Sequence, residues 1–225
     1  LPGRPAGSCA VGLAERLPAG VRGRNRLSSL RDGPEHAAIW GTPYFDVALR
    51  RRLLSEDVLA ELGPDLDAPE WYALKSYGSA PDPVSGLTRL DFQQVLPDDF
   101  LVKVDRASMA NSLEIRAPFL DYRLVEHAFR EIPPHWKCTQ SERRRVQNLM
   151  AKRYLPEGFE LNRKQGFSVP MDEWMRDVKE ERVVPEKHMN FFNINAIRDL
   201  LNGQRRGRTN SPRLFALMML QASNI

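Results

Sequence analysis

The sequence predicts a mostly α-helical domain. Three observations carry that expectation. Apolar residues recur at helical spacing in several separate stretches, cap and stop residues bracket those stretches, and no alternation of strand and helix patterns emerges. The 225 residues suffice for one large domain or one and a half ordinary ones.

Taken in order, residues 1–33 are rich in Gly, Pro and Arg and hold one short helical candidate near Val11–Leu17. They are expected to form a basic, loosely structured segment ahead of a helical body at 34–225. Ser55 starts an acidic-led helix through Leu62, with Gly63-Pro64 as its stop. The stretch from Asp65 to Pro83, interrupted by Pro69 and Pro81, is expected to be a loop. A helix from Val84 to Val95 should follow and end at Leu96-Pro97.

Leu124, Val125, Ala128 and Phe129 fall at helical spacing between Tyr122 and Glu131, and Asp121 is placed to cap that helix. The stretch from Ser141 to Tyr154 repeats the pattern, with Val146, Leu149 and Met150 inward and a basic opposite face. Ser211 to Ala222 is apolar almost all round, as in a helix buried in its own core or against a partner. No internal repeat is present.

Composition narrows the function classes. With 42% hydrophobic and 28% charged residues the profile is globular rather than disordered. No run approaches the roughly 18–20 consecutive apolar residues of a membrane span. Leu1-Pro2-Gly3-Arg4-Pro5 lacks the apolar stretch of a secretion signal and does not begin with Met, as expected for a piece of something longer. Two cysteines, Cys9 and Cys138, cannot build a disulfide framework or a zinc site, and they point to a reducing, cytoplasmic compartment.

The net charge of +4 invites a nucleic-acid reading, but residues 1–33 hold the whole excess: six arginines against Glu15 and Asp32. From residue 34 onward, 27 basic and 27 acidic residues balance, so an electrostatic funnel for nucleic acid is not expected.

Chemistry-bearing patterns are few. No Walker A loop or strand-linked G-x-G-x-x-G occurs, and His36, His127, His135 and His188 lack ligand spacing. Cys138 has no Cys-x-x-Cys partner and no evident base nearby, and carries no chemical signal. Between Leu96 and Asp121, the charged Lys103, Asp105, Arg106, Glu114, Arg116 and Asp121 stand among apolar residues. Charges so close to a core must pair, so they form either an ion-pair network joining two helices or a polar wall lining a site. Lys164, beside Gly166 in Arg163-Lys164-Gln165-Gly166, is either a phosphate contact or part of a solvated basic loop. Arg143, Arg144 and Arg145 open a helix against its macrodipole, which favours a solvated face with Glu142 nearby.

The run Leu96-Pro97-Asp98-Asp99 through Lys103-Val104-Asp105-Arg106, Ser108-Met109-Ala110, Leu113-Glu114-Ile115-Arg116 and Pro118-Phe119-Leu120-Asp121 resembles the synthetase domain of glutamine-dependent asparagine synthetases. The resemblance continues through Tyr154-Leu155-Pro156, Leu161 to Phe167 and Pro170 to Met175, and covers roughly residues 45–225.

It implies the helical C-terminal portion of an α/β, adenine-nucleotide α-hydrolase-like (PP-loop ATP pyrophosphatase) domain. The implied chemistry uses ATP and Mg2+ to convert aspartate to an acyl adenylate, which ammonia from glutamine turns into asparagine. By position, Lys164 corresponds to the family's pyrophosphate-binding, charge-stabilising lysine. Arg144 falls where related synthetases place a lysine near the ATP phosphates. Asp105 lies near the catalytic glutamate of the ring-forming relatives.

Three family features do not occur in these 225 residues: the Ser-Gly-Gly-x-Asp-Ser phosphate loop, the Ser-Gly-Glu-Gly-x-Asp-Glu segment, and a glutaminase domain, whose cysteine Cys9 does not match. The chain is therefore expected to be inactive alone. It would need glutaminase and phosphate-loop segments as partners, with a homodimer as a further expected assembly. The rival readings are a split or non-catalytic subunit, amidation of a carboxylate other than aspartate, and a basic nucleic-acid binder.

Overall fold

A computed structural model describes residues 5–30, 35, 39, 44–161, 169–184 and 186–222. Among these there is no β-strand, only isolated bridges at Leu54–Phe192 and Cys138–Arg143, as a mostly helical sequence predicts. No helix among the described residues is long and apolar enough to cross a membrane.

In chain order the main helices are α1 (Pro5–Arg16), α2 (Arg24–Ser28), α3 (Val47–Leu53), α4 (Glu56–Leu62), α5 (Ala68–Tyr77), α6 (Pro83–Leu90), α7 (Val102–Met109), α8 (Tyr122–Arg130), α9 (Arg145–Tyr154), α10 (Ile194–Arg205) and α11 (Ser211–Ala222). The helical candidate near 11–17 extends back to Pro5, and α2 adds a second helix to the basic N-terminal segment. Helices α4, α8 and α11 lie where the cap and periodicity signals put them. Asp121 caps α8, accepting a hydrogen bond from the Arg123 N–H at 2.9 Å.

Three boundaries differ from expectation. Residues 65–83 are not a loop: a 3-10 turn at Gly63–Asp67 leads into α5. Pro69 occupies the first turn of α5, where its missing N–H costs nothing, and Pro83 opens α6 for the same reason. Leu96-Pro97 does not end a helix. The backbone crosses Pro97 by changing pitch, with a π-helix at Asp91–Leu101 that hands over to α7. The i→i+5 pattern changes which carbonyl faces the proline ring, easing the clash an α-helix would suffer there. Finally, α9 starts at Arg145 rather than Ser141. The Thr139 N–H donates to the Glu142 carbonyl at 2.7 Å and the Glu142 N–H to Thr139 Oγ1 at 3.0 Å, closing a turn that competes with helix.

The chain divides into two compact units, residues 1–74 with 168–225, and residues 75–167. The first holds an apolar core of Leu49 and Leu53 from α3, Val183 and Val184, Ile197, Leu200 and Leu201 from α10, and Leu214 and Leu217 from α11. The i, i+3, i+4 spacing of the α10 residues sets its buried stripe. Gly203 lets α10 approach the Asn210 side chain, where an added Cβ would lie 2.7 Å from its amide nitrogen. Arg24 and Asp46 form a buried ion pair at 2.5 Å. Asp46 also caps α3 by accepting from the Leu49 N–H at 2.9 Å.

The second unit buries little. Among its described residues only Ser76, Tyr77, Gly86 and Ser108 are buried. Gly86 admits the Tyr77 ring, which would come within 2.3 Å of an added Cβ.

Candidate functional site

The second unit contains a cavity of about 710 Å3. Its walls follow from local sequence rules. Capping by Asp121 fixes the start of α8, so Leu124, Val125, Ala128 and Phe129 face the cavity on one side of the helix. Helix α6 contributes Val84 and Thr88, and the π-helix contributes Phe92. The Phe92 and Phe129 rings meet edge to face, 5.5 Å between centroids at 74°. Helix α9 supplies Val146, Gln147 and Met150, and the turn at Pro118–Leu120 supplies Phe119 and Leu120.

Three cations border this apolar space: Lys137, Arg143 and Arg144. Lys137 Nζ stands 5.3 Å from the Phe129 ring centroid, and no acidic residue is among the described lining residues. Arg145, by contrast, is occupied elsewhere. It pairs with Glu142 at 2.7 Å, donates to the His135 carbonyl at 2.7 Å and covers the Trp136 ring. The arginine run is thus split between an intramolecular tie and two cations turned over to the cavity lining.

Arg144 holds a left-handed backbone, φ 56 and ψ 42, as the residue preceding α9. That conformation costs a non-glycine residue on the order of 1–2 kcal/mol. Asp82 caps α6. The Ser85 hydroxyl and N–H and the positive charge of Lys137 hold its carboxyl below the usual range, against a smaller opposing effect of burial.

Of the three residues singled out for chemistry, the structure places Arg144 at the cavity and Asp105 away from its lining. Asp105 is exposed on α7, where its backbone carbonyl accepts from Ser108 Oγ at 3.0 Å. Lys164 lies outside the described residues.

The charges between Leu96 and Asp121 are not embedded beside a core. Lys103 pairs with Asp99 at 3.3 Å and Arg116 with Glu114 at 2.5 Å, all largely exposed, while Asp121 pairs with Arg123 at 2.7 Å. The physical reason is visible in their neighbours: Leu113, Ile115 and Phe119 are themselves exposed, so no low-dielectric interior forms around the charges.

Two lining residues were not singled out as site candidates by the sequence. Cys138 is a free thiol bordering the cavity, and Lys137 reaches it from a one-turn helix at Pro134–Lys137. The available signal was the short spacing from the amphipathic α8 to four cations, Lys137 and Arg143 to Arg145, with one acid, Glu142, between.

The family model for asparagine synthase matches residues 14–224, nearly the whole chain. The chain belongs to the asparagine synthase family. Among curated relatives of this family, it is 27% identical over 174 residues to asparagine synthetase [glutamine-hydrolyzing] 1 of Bacillus subtilis, covering 76% of this chain and 26% of that protein. It is 29% identical over 164 residues to putative asparagine synthetases [glutamine-hydrolyzing] of Mycobacterium bovis and Mycobacterium tuberculosis, covering 73% of this chain and 24% of theirs. The chain thus spans about a quarter of the length of the curated relatives it matches. No solved structure matches it.

Proposed function

We propose that this chain is the helical C-terminal part of an asparagine synthase-type synthetase domain. The whole enzyme would use ATP to activate the side-chain carboxylate of aspartate as an acyl adenylate, release pyrophosphate, and amidate the adenylate with ammonia from glutamine. The match across residues 14–224 carries this reading, joined by the ordered motifs from Leu96 to Phe167. In it, Lys164 steadies the charge that grows on the pyrophosphate, and Arg144 offers a second cation to the phosphates. Asp105 is the weakest assignment, since it stands apart from the cavity that Arg144 borders.

The residues present fit ATP and magnesium unequally. Arg143 and Arg144, exposed beside the cavity, match the charge of a polyphosphate. Among the described residues no group of three His, Cys, Asp or Glu side chains is placed to hold a metal, so no step is assigned to magnesium here. Adenylation needs a clamped triphosphate, and these 225 residues contain no Ser-Gly-Gly-x-Asp-Ser loop. The isolated chain is therefore proposed to be inactive and to complete its site with a glutaminase and a phosphate-loop segment.

Two measurements test this. The purified chain should show no ATP–pyrophosphate exchange, and detectable exchange would overturn the reading. Within a longer polypeptide that carries the other segments, Lys164→Ala should depress asparagine formation and spare glutamine hydrolysis. Equal loss of both would make Lys164 structural. A second reading, a separately encoded subunit, is favoured by α11, where Phe215 and Met219 remain exposed beside the buried Leu214 and Leu217. Co-purification with a phosphate-loop chain, with restored synthesis, would establish it.

A further inference from the structure

We infer that the cavity of the second unit binds a small monocarboxylate carried on an apolar body. Its volume of about 710 Å3 lies inside the range of small-molecule sites, about 300–1,000 Å3. The inner wall is built from Phe92, Leu124, Phe129 and Met150, which offer contact area and no hydrogen bonds. The charged lining residues are Lys137, Arg143 and Arg144, all positive, beside the neutral polar Thr88, Thr139 and Gln147.

None of the described lining residues is acidic, which makes the charge preference one-sided. A free amino acid such as aspartate would bring an ammonium group that the described lining meets only with cations and neutral groups, and burying an unpaired charge is costly. An inorganic anion would use the cations and leave the apolar wall empty. A carboxylate on an alkyl or aryl body satisfies both halves of the lining, with the head at Lys137 and Arg143 and the body against the Phe92–Phe129 pair. Arg145 does not compete for the head group, because Glu142 holds it. Cys138 borders the same space, so its thiol reports occupancy.

The cavity shares Arg143 and Arg144 with the cations matched to a polyphosphate in the proposed function.

The experiment uses the 225-residue chain and octanoate as probe, with octylamine, acetate and inorganic pyrophosphate as comparison ligands. Calorimetric titration should give one octanoate site per chain, with octylamine and acetate binding at least tenfold more weakly. Alkylation of Cys138, separated from Cys9 by peptide mass spectrometry, should slow on octanoate saturation. Lys137→Gln with Arg143→Gln should weaken octanoate at least tenfold and leave the helical circular-dichroism signal unchanged. As a steric control, Ala128→Phe should fill the cavity and abolish both binding and protection.

Octylamine binding as tightly as octanoate would overturn the inference by reducing the site to apolar adhesion. So would octanoate binding that leaves Cys138 unprotected, or a chain whose Cys138 is covered by self-association and takes no octanoate. Displacement of octanoate by pyrophosphate at equal concentration would overturn it while leaving the phosphate role of Arg144 standing. Octanoate binding that pyrophosphate does not disturb would uphold it whatever the fate of the synthetase reading.

Discussion

Replacing Asp46 by Asn should destabilise the first unit by about 3–5 kcal/mol, the usual cost of removing one partner from a buried ion pair. The size follows from where the charges sit. The Arg24 and Asp46 side chains are only 2% and 8% exposed, and Arg24 Nε already lacks a hydrogen-bond partner among the described residues. Without the carboxylate, the guanidinium is left buried and uncompensated. Asn can still accept from the Leu49 N–H, so loss of the α3 cap contributes little and the charge effect is isolated. A loss of that size is a large part of the roughly 5–15 kcal/mol that keeps a domain folded.

The assay is urea denaturation followed by helical circular dichroism, with hydrogen exchange of α3 amides as a local readout. Arg24→Met combined with Asp46→Asn should recover most of the loss, because no lone charge then remains inside. The same pair predicts a pH dependence. Burial pushes the Asp46 carboxyl up, but the Arg24 hydrogen bond, the Leu49 N–H and the charges of Arg24 and Arg213 outweigh it and hold the group below its ordinary value. Its stabilising contribution is therefore full above the ordinary aspartate range and fades as pH falls through the depressed value, a slope that Asp46→Asn should lack. The reasoning fails if Asp46→Asn costs under about 1 kcal/mol against the 3–5 expected, or if variant and parent lose stability alike on acidification.

Leu214→Ala, at a position with 0% exposure, should cost about 2–5 kcal/mol and be read as a lower urea midpoint with unchanged slope. Gly203→Ala should cost about 1–3 kcal/mol by overpacking, since the new methyl would press on the Asn210 amide that donates to the Leu200 carbonyl at 3.1 Å. A thermal melt unchanged by that substitution would mean α10 shifts freely away from Asn210.

Local chemistry was legible where it was self-contained. Asp121 before α8, Ser55 and Gly63 around α4, and the bounds of α11 all follow from signals within a few residues. Proline was misleading where backbone geometry absorbed it, at Pro69 in the first turn of α5 and Pro97 inside the π-helix. Long-range pairing was invisible: nothing near Arg24 announces Asp46, and nothing near Phe92 announces Phe129. Of the candidate site, Arg144 was legible through family resemblance. Lys137 and Cys138 were not, because their importance comes from the cavity that tertiary packing creates beside them.

The first unit is assembled from both ends of the chain, with the second inserted between them. One bond spans that gap directly: Arg213 Nε donates to the Tyr44 carbonyl at 2.6 Å across a separation of 169 residues. At translation rates of about 5–20 residues per second, roughly 10–35 s pass between emergence of one partner and the other. During that interval α3 presents Leu49 and Leu53 without the α10 and α11 surfaces that cover them. The core of the first unit therefore closes only once α10 and α11 have emerged to cover the α3 leucines.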